Sequence, residues 1–214
     1  MLAFGQPLKL DVSRIDMGIH ETPTPEHWNY FLALEDDVVR MSRYLEPTTD
    51  NFESYSLELM RILFGAASEV DVVSKRLCQK LSNQSKADNI TKYKKEILAS
   101  YPQFTSVIVE IPRFGLTLTP WVQWKTDPSP FWWRAYNNVK HHRHTHFAEA
   151  SLKHTLNAVA GLFVLLLFYY REEGQNGQLN PDPVIFRAGA PFHVDRLMWG
   201  PGANVYQLLP DGNG

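Results

Sequence analysis

Cysteine is almost missing: Cys78 is the one thiol in 214 residues. An internal disulfide is excluded, which fits a reducing compartment. Net charge is scarce as well, at −2 with a pI near 6.4. The chain therefore lacks the general basic field that binds nucleic acid indiscriminately, and any such contact must be local. Long apolar runs are also lacking. The longest, Ala158 to Tyr170, has thirteen residues including one glycine, against the roughly 20 needed to span a bilayer, and reads as a buried core helix. Met1 to Pro7 lacks a basic region followed by an apolar stretch, so it does not read as a secretion signal and a cytoplasmic location is expected. Internal repeats and low-complexity tracts are missing too.

Aromatic and apolar residues are what the chain has in quantity. Hydrophobic residues make up 44%, with six Trp, nine Tyr and twelve Phe. That supply of apolar area excludes disorder over most of the length, and the length suits one domain with an appendage.

The apolar positions have helical period over most of the chain. Thr24-Pro25 offers an N-cap and first-turn proline for a helix from about 25 to 45 carrying Trp28, Phe31, Leu32, Val38, Val39 and Leu45. Leu59, Leu63, Ala66, Val70, Val73, Leu77 and Leu81 alternate gaps of four and three, the seam of a long helix beginning near Ser54. Ile90, Tyr93, Ile97 and Leu98 predict a shorter third helix to about Ser100. Val107–Ile111 and Gly115–Thr119 are β-branched or alternating and predict a hairpin inserted at about 104–120. Ser129, as N-cap before Pro130, starts the next helix, and a last long helix runs from about Ala148 to Glu173 and ends at Gly174. The expected fold is mainly α: a helical domain over 1–174 and an irregular tail over 175–214, packed on the bundle, in which Val184–Phe186 and Val205–Leu209 look strand-like.

Chemistry concentrates in Trp132-Trp133-Arg134-Ala135-Tyr136-Asn137-Asn138-Val139-Lys140-His141. On a helix, Arg134, Asn137 or Asn138, and His141 share one face, while Phe131, Ala135 and Val139 form a neighbouring apolar stripe. Arginine binds phosphate through a planar fork, and histidine is the side chain whose unperturbed pKa lies near neutrality. Such a pair, about 10 Å apart along the helix, suits phosphodiester transesterification, in which a ribose 2′-OH attacks the neighbouring phosphorus and no metal is needed.

Arg134, six residues, then His141, on a helix of an all-helical bundle, resembles the R-x(4–6)-H motif of the HEPN superfamily. Tyr136-Asn137-Asn138-Val139-Lys140-His141 is similar to the run carried by bacterial abortive-infection-like members. The resemblance covers about 25–173. It implies an antiparallel four- to five-helix bundle that dimerises with the motif helices face to face, and metal-independent cleavage of single-stranded RNA in toxin–antitoxin or antiviral defence, with no cofactor and an antitoxin protein as partner. By that analogy Arg134 and His141 are the catalytic pair, with Asn138 beside them, and Tyr136, Asn137, Lys140 and Arg143 contact substrate. Ala135 departs from the polar residue that usually follows the arginine in active members. A non-catalytic HEPN-like dimerising module, binding a nucleotide or partner through Arg134 and Asn138, is the alternative.

Several other groups admit two readings. His141, His142, His144, His146 and His154 suggest either a metal site or helix-end histidines, although the alternating spacing suits a strand better than a helix. The stretch 75–96 is locally about +5 and 134–153 about +3, which makes either an RNA track or solvated faces. Glu35, Asp36 and Asp37 diverge around a helix and read as solvated. Glu69 could orient Arg134 or Lys140, or form a structural salt bridge. Trp121, Trp124, Trp132 and Trp133 could stack on bases, or make a lid or dimer surface. Cys78 has no partner base in sequence and does not read as a nucleophile.

Overall fold

Unbroken helical periodicity becomes helix in the computed structural model, which describes residues 25–196 and 203–210. Six α-helices lie among the described residues: α1 (Glu26–Met41), α2 (Leu57–Leu81), α3 (Ile90–Ser100), α4 (Phe131–His146), α5 (Leu152–Tyr169) and α6 (Arg171–Gln175). Thr24, expected to cap the first helix, and the opening segment Met1 to Pro7 lie outside the described residues; Pro25 occupies the cap position of α1. Three helices carry side-chain caps. Ser56 accepts from the Leu59 N–H, Asn89 from Lys92 and Ser151 from His154, each satisfying an amide the first turn would otherwise leave unpaired.

The α2 seam is buried along Leu59, Leu63, Ala66, Val70, Val73 and Leu77, and it packs on α5. From Leu156 to Phe168 every residue of α5 is buried, and each buried Leu or Phe contributes about 1.5–3 kcal/mol of transfer free energy. α5 is 18 residues long with a mean hydropathy of 1.5, enough by length and composition to cross a membrane, but 83% of it is buried inside this fold. α1, α3 and α4 surround the α2–α5 pair. The predicted last helix is interrupted: a 3-10 turn at Phe147–Glu149 precedes the Ser151 cap, and Tyr170 separates α5 from α6.

The expected hairpin is β1 (Val109–Ile111) paired antiparallel with β2 (Leu116–Leu118), and Gly115 takes the left-handed conformation at φ 63° that the tight turn needs. The tail corrects the expectation of an irregular segment. β3 (Arg187–Ala188) adds to the other edge of β1, placing Glu110 opposite Arg187, and β4 (Phe192–Arg196) pairs with β5 (Asn204–Leu208). Val184–Phe186 is not a strand. Its three amides instead converge on the Glu35 carboxylate, at 2.9 and 2.7 Å for Val184 and Ile185 and 3.1 Å for Phe186. Glu35, read as solvated, is 2% exposed, because a carboxylate side chain is tolerated in a core when several N–H groups donate to it. Asp36 and Asp37 pair with Arg40 and Arg61. Leu179, Ile185, Phe186, Phe192 and Tyr206 join the helices in one hydrophobic cluster.

Candidate functional site

α4 divides into a buried and an exposed side. Trp132, Trp133, Ala135, Tyr136 and Val139 are buried, while Arg134, Lys140, His141 and Arg143 are exposed. The helix begins differently from the expectation. Pro130 is the cap residue and makes no side-chain bond, whereas the Ser129 carbonyl accepts from the Arg134 guanidinium at 2.7 Å. A second guanidinium nitrogen lies 3.3 Å from the Gln123 Oε1. Both partners are neutral, so the charge of Arg134 is held in place without being compensated.

Helical geometry fails at His142, with φ −136° and ψ 42°. Residues 140–145 are all exposed, so no packing holds that turn in register, and helical stability in proteins comes chiefly from packing. The bend gathers Lys140, His141, Arg143, His144 and Phe147 around an open depression of about 610 Å³. Lys140 Nζ sits 5.3 Å from the Tyr136 ring centre and the Arg143 guanidinium 5.5 Å from that of Phe147. Such cation–aromatic contacts orient a charge without neutralising it. Arg134, Lys140 and Arg143 form no ion pair with any described residue.

The other expected residues have structural partners. The Asn137 amide donates back to the Trp133 carbonyl at 3.1 Å. Asn138 Nδ2 donates to both Glu149 carboxylate oxygens, at 3.3 and 3.0 Å, and His146 Nδ1 lies 2.6 Å from Oε1 of the same group. Glu149 is thus the residue that sequence reading missed. It counted only as a charge because its partners lie 11 and 3 positions away across the helix bend. Tyr136 is buried and perpendicular to Phe64, with ring centres 5.4 Å apart. Arg134, turned toward Ser129 and Gln123, does not line the depression that His141 lines.

His154 stands behind this surface. Its Nδ1–H donates to the Glu149 carbonyl at 2.7 Å, and burial holds its pKa below the ordinary value. Among the described residues, no three His, Cys, Asp or Glu side chains are grouped as metal ligands. Glu69 pairs with His27 Nδ1 at 2.5 Å and not with Arg134 or Lys140. These four tryptophans are core: Trp121, Trp124 and Trp132 are wholly inaccessible and Trp133 is nearly so, leaving none of the four for stacking on bases or forming a dimer surface. Indole size explains this, since burying so large an apolar surface outweighs exposing it, and Trp121 and Trp132 satisfy their N–H groups on the Gly161 and Pro120 carbonyls. Cys78 is buried, and burial with the nearby Glu96 pushes its thiol up to about 12.

The basic stretch 75–96 behaves differently from α4. Arg76 lies 3.4 Å from Glu26, Lys80 donates to the Tyr169 carbonyl, Lys92 pairs with Asp88, and Lys94 donates to the Asp127 carbonyl. Several of its cations are therefore occupied within the protein. Comparison with protein families, characterised proteins and solved structures finds no match to this chain.

Proposed function

We propose that the chain is a HEPN-like helical bundle that, as a homodimer, cleaves single-stranded RNA without a metal. The observation that carries this reading is the uncompensated positive charge of α4, where Lys140 and Arg143 stand exposed around His141 and Arg134 is exposed nearer the start of the helix. A polyanion is the natural occupant of such a face. A 2′-OH attacks the adjacent phosphorus, the 5′-oxygen leaves, and a 2′,3′-cyclic phosphate and a 5′-hydroxyl result. His141 moves the proton as general base or acid and Arg134 neutralises the phosphate. Because Arg134 and His141 of one chain face different neighbours, the pair in this reading combines Arg134 of one protomer with His141 of the other, in a dimer whose motif helices face each other. Defence against phage or a toxin role, with an antitoxin protein as its partner, follows from the same resemblance, and the single cysteine suits a reducing, cytoplasmic location.

The test is incubation of mixed single-stranded RNA with the purified protein in EDTA, beside Arg134→Ala and His141→Ala. Each variant is expected to lose at least about a hundredfold in rate, the scale of general acid–base and electrostatic contributions. Intact RNA with the wild type, or cleavage indifferent to both changes, refutes catalysis. Because Glu149 occupies the Asn138 amide, Asn138 is not a free catalytic group, and the second reading is a non-catalytic dimeric module that binds a nucleotide or partner. Its signature is a dimer that binds RNA or nucleotide and leaves the RNA intact.

A further inference from the structure

With the tryptophans buried, the depression beside His141 still has aromatic surface of its own. Phe147 lines it, and Tyr55 stands perpendicular to Phe147 with ring centres 5.4 Å apart. Tyr55 is 53% exposed, and its backbone is firmly mounted. Its backbone bridges to Ser151, Leu152 N–H donates to the Ser54 carbonyl at 2.9 Å, and Lys153 N–H donates to that of Phe52 at 3.0 Å. The backbone that carries the ring is thereby fixed to the start of α5 and Phe147 packs on the ring itself; an aromatic positioned in advance loses less entropy when a ligand settles on it. Four of the five residues lining the depression are Lys, Arg or His, and none is acidic.

We propose that Tyr55, backed by Phe147, is a base-stacking platform for an unpaired nucleotide of single-stranded RNA whose neighbouring phosphate lies among Lys140, His141, Arg143 and His144. The choice of RNA as ligand rests on the reading above; the stacking does not require cleavage. Cations beside an exposed ring are the combination that holds single strands, since the charges follow the backbone and the ring takes a base by its face. A duplex keeps its bases stacked on one another and offers the ring nothing. Polyphosphate offers charge alone.

The experiment uses fluorescence anisotropy with the full chain and a labelled 2′-O-methyl octauridylate, which lacks the attacking hydroxyl. Tyr55→Ala is expected to weaken binding roughly tenfold, whereas Tyr55→Phe and Tyr55→Trp keep it. Affinity for duplex RNA and for polyphosphate stays the same in all three variants. A wild type that does not bind the oligomer, a Tyr55→Ala protein that binds it equally, or a loss that extends equally to polyphosphate overturns the platform. Unmodified RNA separates this proposal from catalysis. Tyr55-dependent binding with intact RNA removes the nuclease and keeps the platform; cleavage with unchanged kcat/KM in Tyr55→Ala does the reverse.

Discussion

Removing the Glu35 carboxylate would strand three amide N–H groups inside the protein. Glu35→Ala is expected to destabilise the fold by at least about 3 kcal/mol, because each buried unsatisfied donor costs on the order of 1 kcal/mol or more. Glu35→Gln, which keeps one acceptor oxygen, should lose less, and urea denaturation orders the two. His154 gives a pH dependence of known sign. Desolvation lowers its pKa below the reference 6.5 of the unfolded chain, so between the two values the unfolded state binds more protons. Stability is therefore complete above that window, falls as pH drops through 6.5, and levels off below the folded-state pKa. The wild type should lose stability relative to His154→Gln as pH falls through 6.5, read from urea midpoints. Cys78, buried and raised to about 12, should resist iodoacetamide until the protein is unfolded, since the thiolate is the reactive form.

At the scale of elements, α4 and α5 meet where Gly161 faces Trp132. A Cβ at 161 would lie 2.9 Å from the indole Cζ2, and the indole is fully buried and bonded to the Pro120 carbonyl. Gly161→Ala is expected to cost about 1–3 kcal/mol through overpacking, seen as a lowered Tm. The helices that sequence reading located are those whose apolar residues repeat without a gap. The α2 seam and the hairpin are legible because periods of 3.6 and 2 record which faces are buried. The break at His142 left no such trace, since a run of polar residues looks the same in a helix and in a bend. Nor did the Glu35 clamp, since backbone amides carry no residue type and these lie about 150 positions away. In the candidate site the exposed cations were legible from composition. The anchoring of Asn138 by Glu149 and the exposure of Tyr55 arise from pairings across chain reversals, which spacing does not encode.

Taken whole, the molecule is mainly helical with a small antiparallel sheet, and its core is shared between the helices and the C-terminal strands. Ending the chain after Gln175 would uncover Trp28, Phe31 and Phe163, whose ring neighbours include Phe186 and Tyr206. The truncated protein is expected to unfold at much lower urea or to aggregate, by circular dichroism and sedimentation, because an apolar face of that kind is stable only when covered.

The bond from the Trp28 indole to the Pro181 carbonyl and the Glu35 clamp both close on partners near the far end of the sequence. During synthesis, therefore, α1 leaves the ribosome long before these two partners exist. At about 5–20 residues per second, the wait from Trp28 to Tyr206 is roughly ten to forty seconds. Until then the aromatic cluster around Trp28 lacks the part of its cover that Phe186 and Tyr206 supply. The strand bearing Tyr206 is the last piece of that cover to be made.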